Sequence, residues 1–381
     1  MPGMLDPPRP RLTPAVRRVL AALWLGLAGL AILALGGELW LRIQWERAWK
    51  AAAGFRTGNV FFANSTELNA GDRRLWHKPW RKYEPGARAE LRAGNERFVI
   101  EINRLGYRTR EFSPEKPPGT VRVLCIGGST TVAGRTNDET YPALLEAKLQ
   151  KRWPGLPLEV LNLGVSGVNS EDWLGWLDKL LSFDPDVIVQ YEAINDIAWL
   201  HLPRYAARHP WRRHLNDSLL LERLLGFDPA ALEPDIRGTL RRFEEMDGRC
   251  RERGVAYLTA TFAAPDAERA TEEFRQHLET SVAFWTRHFP LRSWATYAAI
   301  LARHNALLVE FTGRQHIDRV LVHERLSDPA LFIDACHFTP AGIEQLAETF
   351  LAPVADLVED RPGFRQWVAG RPRGALVRPL L

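Results

Sequence analysis

A handful of polar residues, scattered along the chain, have the types needed for nucleophilic catalysis by a serine hydroxyl. Ser129 stands in the run Gly127-Gly128-Ser129-Thr130-Thr131, directly after a short apolar segment, and two glycines there permit a tight turn. A serine hydroxyl is a weak nucleophile until a base takes its proton, and that base must be held in one tautomer. Near the other end lies Asp334-Ala335-Cys336-His337-Phe338-Thr339-Pro340. An Asp three residues ahead of a His, in a loop that enters a helix, can orient the imidazole. Each signal alone is weak: Ser129 also reads as a helix cap, and Asp334 as a capping or ion-pairing residue. A phosphate cradle at Gly127-Gly128 lacks the Lys-Ser/Thr such a loop requires.

The elements around these residues strengthen the case. Residues 121–126 form an apolar strand that runs into the Ser129 turn, and a helix follows over about 141–153. A second strand, 158–163, leads to Gly164-Val165-Ser166-Gly167, with a helix over about 171–181. A third strand, 187–191, leads to Asn195-Asp196. Further strands are expected at 256–261 and 306–311. The last helix starts at Pro340, capped by Thr339, with Ile343, Leu346, Phe350, Leu351 and Val354 as its buried stripe. Alternating strands and helices imply a parallel sheet covered on both faces, with reactive groups just beyond the strands' carboxyl ends.

On these residues the chain resembles the SGNH, or GDSL-type, serine hydrolase superfamily. The four blocks for which that family is named fall in order at Ser129, Gly164, Asn195 and His337. The resemblance covers roughly residues 121–358 and implies a flavodoxin-like three-layer α/β/α sandwich with a parallel sheet. It also implies roles. Ser129 is the nucleophile, His337 the general base and Asp334 the group that orients it. The backbone N–H groups of Ser129 and Gly164 and the side-chain amide of Asn195 form the oxyanion hole. Two departures stand out. Gly128 replaces the Asp common in the first block, and Ala193 replaces the Gly that usually precedes the Asn by two residues. The segment Asn103-Arg104-Leu105-Gly106-Tyr107-Arg108 is similar to a lead-in found in some membrane-linked members and is read as structural.

The activity implied is hydrolysis of acyl esters through a covalent acyl-enzyme, on an extracytoplasmic carbohydrate or lipid ester. Transfer of the acyl group to an envelope polysaccharide would use the same triad. The Asp-x-x-His spacing, in place of Asp-x-His, favours hydrolysis. A third reading, an inactive binding protein, conflicts with the intact set of site residues. No cofactor and no metal is implied. Three histidines in one insertion, His201, His209 and His214, have no metal-ligand spacing and read as packed or solvated.

The chain has 381 residues and a net charge of +4, which argues against nucleic acid as a partner. Its 3 cysteines cannot form a full disulfide framework. Cys125 reads as a small core hydrophobe, and Cys336 has neither thiol nor metal-site pattern around it. Residues 19–37 carry no charge, about 28 Å as a helix and enough to cross a bilayer once. Trp40 and Trp45 follow where interfacial aromatics belong. A cleaved signal peptide is the rival reading, but the run is long for one and no small-x-small site closes it. Arg17 and Arg18 at the membrane edge favour a cytoplasmic N-terminus. The expected organisation is a short tail (1–18), a transmembrane anchor (19–41), a stalk and accessory segment (42–120), the hydrolase domain (121–360) and a C-terminal tail (361–381). Two insertions, about 198–235 and 264–296, are candidates for a lid or a substrate wall.

Overall fold

The computed structural model describes residues 13–51, 83–93, 96–210, 218–285 and 293–370. Residues 52–82 of the expected stalk, His214 and residues 371–381 lie outside the described residues.

The strands are β1 (Arg88–Ala93), β2 (Glu96–Glu101), β3 (Val121–Gly127), β4 (Leu158–Asn162), β5 (Val187–Tyr191), β6 (Ala256–Ala260) and β7 (Asp318–Val320). β3 to β7 make one five-stranded sheet in the order β4-β3-β5-β6-β7, and every pairing is parallel. The helices used below are α1 (Pro14–Ala51), α2 (Ser129–Val132), α3 (Tyr141–Arg152), α4 (Ser170–Leu181), α5 (Leu219–Leu225), α6 (Glu233–Glu252), α7 (Glu272–Trp285), α8 (Trp294–Gln315), α9 (Pro340–Glu359) and α10 (Pro362–Ala369). α3 packs on α9, while α6 packs on both α4 and α8, so helices clothe the sheet as a three-layer α/β/α sandwich. The chain leaves β3 for β4 on one side and returns to β5 on the other. This reversal opens a crevice at the carboxyl ends of β3 and β5, where ligands bind in open α/β sheets.

β3 and β5 are buried along their whole length, as a central parallel sheet demands. Arg122 is the exception in type but not in physics. Its side chain is fully buried, yet Nε donates to Glu159 at 2.7 Å, Nη1 to the carbonyls of Phe183 and Pro114, and Nη2 to that of Ser113. A buried cation with its donors satisfied avoids the penalty of an unpaired one.

Two expectations change. The apolar run 306–311 is not a strand but the C-terminal half of α8, and the edge strand is β7. Buried Tyr297, Ile300, Leu301, His304, Leu308 and Phe311 recur at helical spacing over the preceding turns. A six-residue apolar run read by itself cannot separate the two periods. β2 pairs with β1, an antiparallel partner whose Arg-Ala-Glu-Leu pattern hid it. Within the segment assigned to a tail, α10 packs Phe364 and Trp367 against the core.

α1 is one helix long and apolar enough to cross a membrane. It runs well past its charge-free stretch. Near that point Glu38 accepts hydrogen bonds from Ser218 Oγ (2.8 Å) and Leu220 N (2.9 Å), and Leu41 is buried. The helix therefore leaves its apolar segment already packed against α5 and α7.

Candidate active site

Ser129 opens α2 at the carboxyl end of β3. Gly127 sits at φ +153°, and a Cβ there would lie 2.3 Å from the Tyr191 carbonyl and 2.4 Å from Thr131 Oγ1. Only glycine lets the strand end this close to β5 while turning into α2. The turn is tied down from both sides. Asn162, the last residue of β4, donates from Nδ2 to Thr131 O at 2.8 Å. Arg108, fully buried, donates to Val132 O at 2.7 Å and Gly134 O at 2.8 Å.

The Asp334–His337 loop is held independently. Ile333 N donates to His337 O and Thr339 N to Leu331 O, both at 2.9 Å, which pinches residues 331–339 into a narrow loop. The Thr339 hydroxyl then caps α9 through Gly342 N at 3.3 Å. From α7, within the second insertion, His277 Nε2 lies 3.0 Å from Ile333 O.

These two supports bring the side chains into register. His337 Nε2 is 2.8 Å from Ser129 Oγ, and His337 Nδ1 is 2.7 Å from Asp334 Oδ2. Asp334 Oδ1 accepts the backbone N–H groups of Cys336 and His337, each at 2.8 Å. Burial works to raise the Asp334 carboxyl, but the charge of the His337 ring and these hydrogen bonds outweigh it and bring its pKa down to about 2. An ionised Asp334 claims Nδ1–H and leaves the Nε2 lone pair facing the serine hydroxyl. Ser129 is 7% exposed, while His337 and Asp334 are sealed from solvent.

The remaining site residues lie beside this relay. Ser129 N–H is at the first position of α2, where a backbone donor has no intrahelical partner. Asn195 follows β5 and is buried. Its Nδ2 donates to Val168 O at 2.7 Å and lies 3.2 Å from Glu192 Oε2. The Gly164 N–H points to Asn162 Oδ1 at 3.0 Å. Two of the three expected oxyanion donors are thus engaged within the protein.

The model for the GDSL-like lipase/acylhydrolase family matches residues 125–345, more than half of the chain. The chain belongs to this family. It is accordingly an SGNH-type enzyme acting on carboxylic ester bonds. No curated protein matches it. Among solved structures it is similar to an α/β hydrolase enzyme from the metagenome of Lake Arreo, Spain, at 21% identity and TM-score 0.40, over 62% of this chain and 96% of that one. It is also similar to a catalytic mutant of an acetylxylan esterase from Geobacillus stearothermophilus, at 16% identity and TM-score 0.40, over 61% and 94%.

Several residues that shape this GDSL-family site were not singled out by type and spacing. Arg108 and His277 reveal themselves only through the carbonyls they hold. Tyr83, from the accessory segment, accepts the Ser166 N–H at 3.0 Å and so braces the turn after β4. Glu192 did carry a signal, an acid between the strand residue Tyr191 and Ala193. Cys336 Sγ lies 3.4 Å from His337 Nδ1, and with Asp334 the three ligand atoms fall within 4.8 Å of one another. Burial, then the Asp334 charge, push the Cys336 thiol well up. Of the insertion histidines, His201 is buried against Thr239 Oγ1 at 3.0 Å and His209 packs on Tyr205.

Proposed function

We propose that the enzyme hydrolyses its esters through a Ser129–His337–Asp334 triad and a covalent acyl-enzyme. The observation that carries this is the relay of 2.8 Å and 2.7 Å contacts with an ionised, buried Asp334 behind the imidazole. Ser129 Oγ attacks the ester carbonyl as His337 Nε2 takes the hydroxyl proton. The negative oxygen is met by Ser129 N–H, with Asn195 Nδ2 and Gly164 N–H released from their weaker resting contacts. His337 returns the proton to the leaving alcohol. Water, deprotonated by the same imidazole, then attacks the acyl-serine, and the carboxylic acid departs as the hydroxyl proton returns to Ser129.

α1 acts as a membrane anchor, with the catalytic domain outside the cytoplasm. Its charge-free stretch and the Arg17-Arg18 pair at its start support this topology. A tethered esterase beside the bilayer suits an ester on an envelope carbohydrate or lipid.

A fluorophosphonate probe tests the mechanism. It should label the wild-type chain at Ser129 and leave both Ser129→Ala and His337→Ala unlabelled, while protease protection in intact cells reports the side on which the domain lies. Equal labelling of wild type and Ser129→Ala would overturn the triad.

A further inference from the structure

We propose that Glu192 is a positioning residue, which aims the Asn195 amide at the reacting carbonyl from the space that a side chain at position 128 would otherwise fill. The proposal rests on the assignment of Ser129 and Asn195 given above.

Glu192 directly follows β5 and is 2% exposed. Its carboxyl grips Asn195 twice. Oε1 accepts the Asn195 backbone N–H at 3.0 Å, and Oε2 faces Asn195 Nδ2 at 3.2 Å. Val168 O takes the other amide hydrogen at 2.7 Å. Turning the amide over would set its oxygen against the Val168 carbonyl, which can only accept, so that bond dictates which end of Asn195 faces the Ser129 turn while Glu192 holds the amide in place. The 2.7 Å bond is firm. The 3.2 Å contact is the looser one, and its hydrogen is the one free to move to a developing oxyanion.

The Gly128 position explains why this acid stands where it does. A Cβ at 128 would lie 2.4 Å from Asn195 Nδ2 and 2.7 Å from Glu192 Oε2. A side chain there and the Glu192 carboxyl compete for one volume. The Asp common at this place in the first block is absent here, and a carboxyl reaches the same amide from the third block. Burial, and then the neighbouring Asp196, push the Glu192 carboxyl well above the usual range, so it sits beside the oxyanion without an opposing charge.

The test is a double-mutant cycle on the full-length enzyme, with p-nitrophenyl acetate as probe. Glu192→Ala should lower kcat about a hundredfold, the loss expected for one oxyanion donor, with KM changed by less than about threefold. In an Asn195→Ala background the same change should cost nothing further, because Glu192 acts only through that amide. Gly128→Ala, whose Cβ would press on the same amide, should lower kcat even with Glu192 in place. A folded Glu192→Ala enzyme with kcat near wild type, or losses that simply add in the double variant, overturns the positioning role. Wild-type kcat in Gly128→Ala overturns the shared-volume claim. If Glu192→Ala does not fold, Glu192→Gln enters the same cycle, since it sets an N–H donor or a reoriented amide against Nδ2. Wild-type turnover by Ser129→Ala would instead refute the underlying site assignment.

Discussion

Ser129 Oγ and His337 Nε2 meet at 2.8 Å although 208 positions separate them in the chain. The contact joins two separately braced structures, the glycine turn after β3 and the loop pinched between residues 331 and 339. Removing the hydroxyl leaves both braces intact, because the hydrogen bonds that tie them run through Asn162, Arg108, Ile333 and Thr339. Ser129→Ala is therefore expected to melt like the wild type and to lose turnover by about a millionfold, as when a triad acts as a unit. Thermal melting alongside single-turnover ester cleavage decides it. A folded variant keeping a tenth of wild-type kcat would sink the assignment.

Asp334 offers a second test, because its two oxygens do different work. Oδ1 shapes the loop through two backbone N–H groups, and Oδ2 holds His337 Nδ1. Asp334→Asn can keep the first function but presents an amide to the imidazole, favouring the wrong tautomer. A loss of about ten-thousandfold in kcat is expected. The sign of the pH effect follows from the depressed pKa. Since the native carboxyl is brought down to about 2 from the 3.8 of an ordinary Asp, its ionisation stabilises the fold above about pH 4, and this is lost as pH falls through 2. Melting temperature against pH should accordingly be flatter for Asp334→Asn than for wild type below pH 4. Parallel curves would contradict this.

Much of this architecture was legible because local pattern and tertiary role agree. Strands β3, β4 and β5 are short apolar runs ending in polar turns, and each polar turn is a site element. Thr339 and Pro340 announce α9 by capping chemistry alone. Legibility failed where partner and pattern part company. The run 306–311 is helical because it continues a buried stripe begun at Tyr297, which a short window misses. Arg108 and His277 act on carbonyls that are distant in sequence, so their types alone carry no message. The donor state of Gly164 and Asn195 was equally invisible, since it depends on Asn162 and Val168 arriving from neighbouring elements.

His201 and His304 are expected to set the acid limit of the fold. Their rings stack with centroids 5.9 Å apart, both buried. Burial brings the His304 pKa down to about 4, and burial together with His304, Arg204 and Arg242 lowers His201 as well. Both are neutral in the native state, whereas the unfolded chain takes up protons near 6.5. Stability is therefore full above that value and is lost as pH falls from 6.5 towards 4, by roughly 3 kcal/mol for His304 alone. His304→Leu should narrow the gap between melting temperatures at pH 7.5 and pH 5. An unchanged gap would show that the pair does not govern acid unfolding.

Glu38 ties the apolar helix to the catalytic domain, and the strength of that tie can be measured apart from catalysis. Its carboxylate accepts from Ser218 Oγ and Leu220 N, capping α5. Glu38→Ala removes an N-terminal cap, worth about 1 kcal/mol. That is enough to raise the open population of α5 about fivefold. Trypsin reports this at Arg223, which is exposed on α5. Cleavage after Arg223 in the detergent-solubilised variant should be about fivefold faster than in wild type. Hydrolysis of a small soluble ester should stay at the wild-type rate, because neither α1 nor α5 supplies a triad residue. Equal cleavage rates would mean that α5 is held by packing against α1 and not by the Glu38 cap.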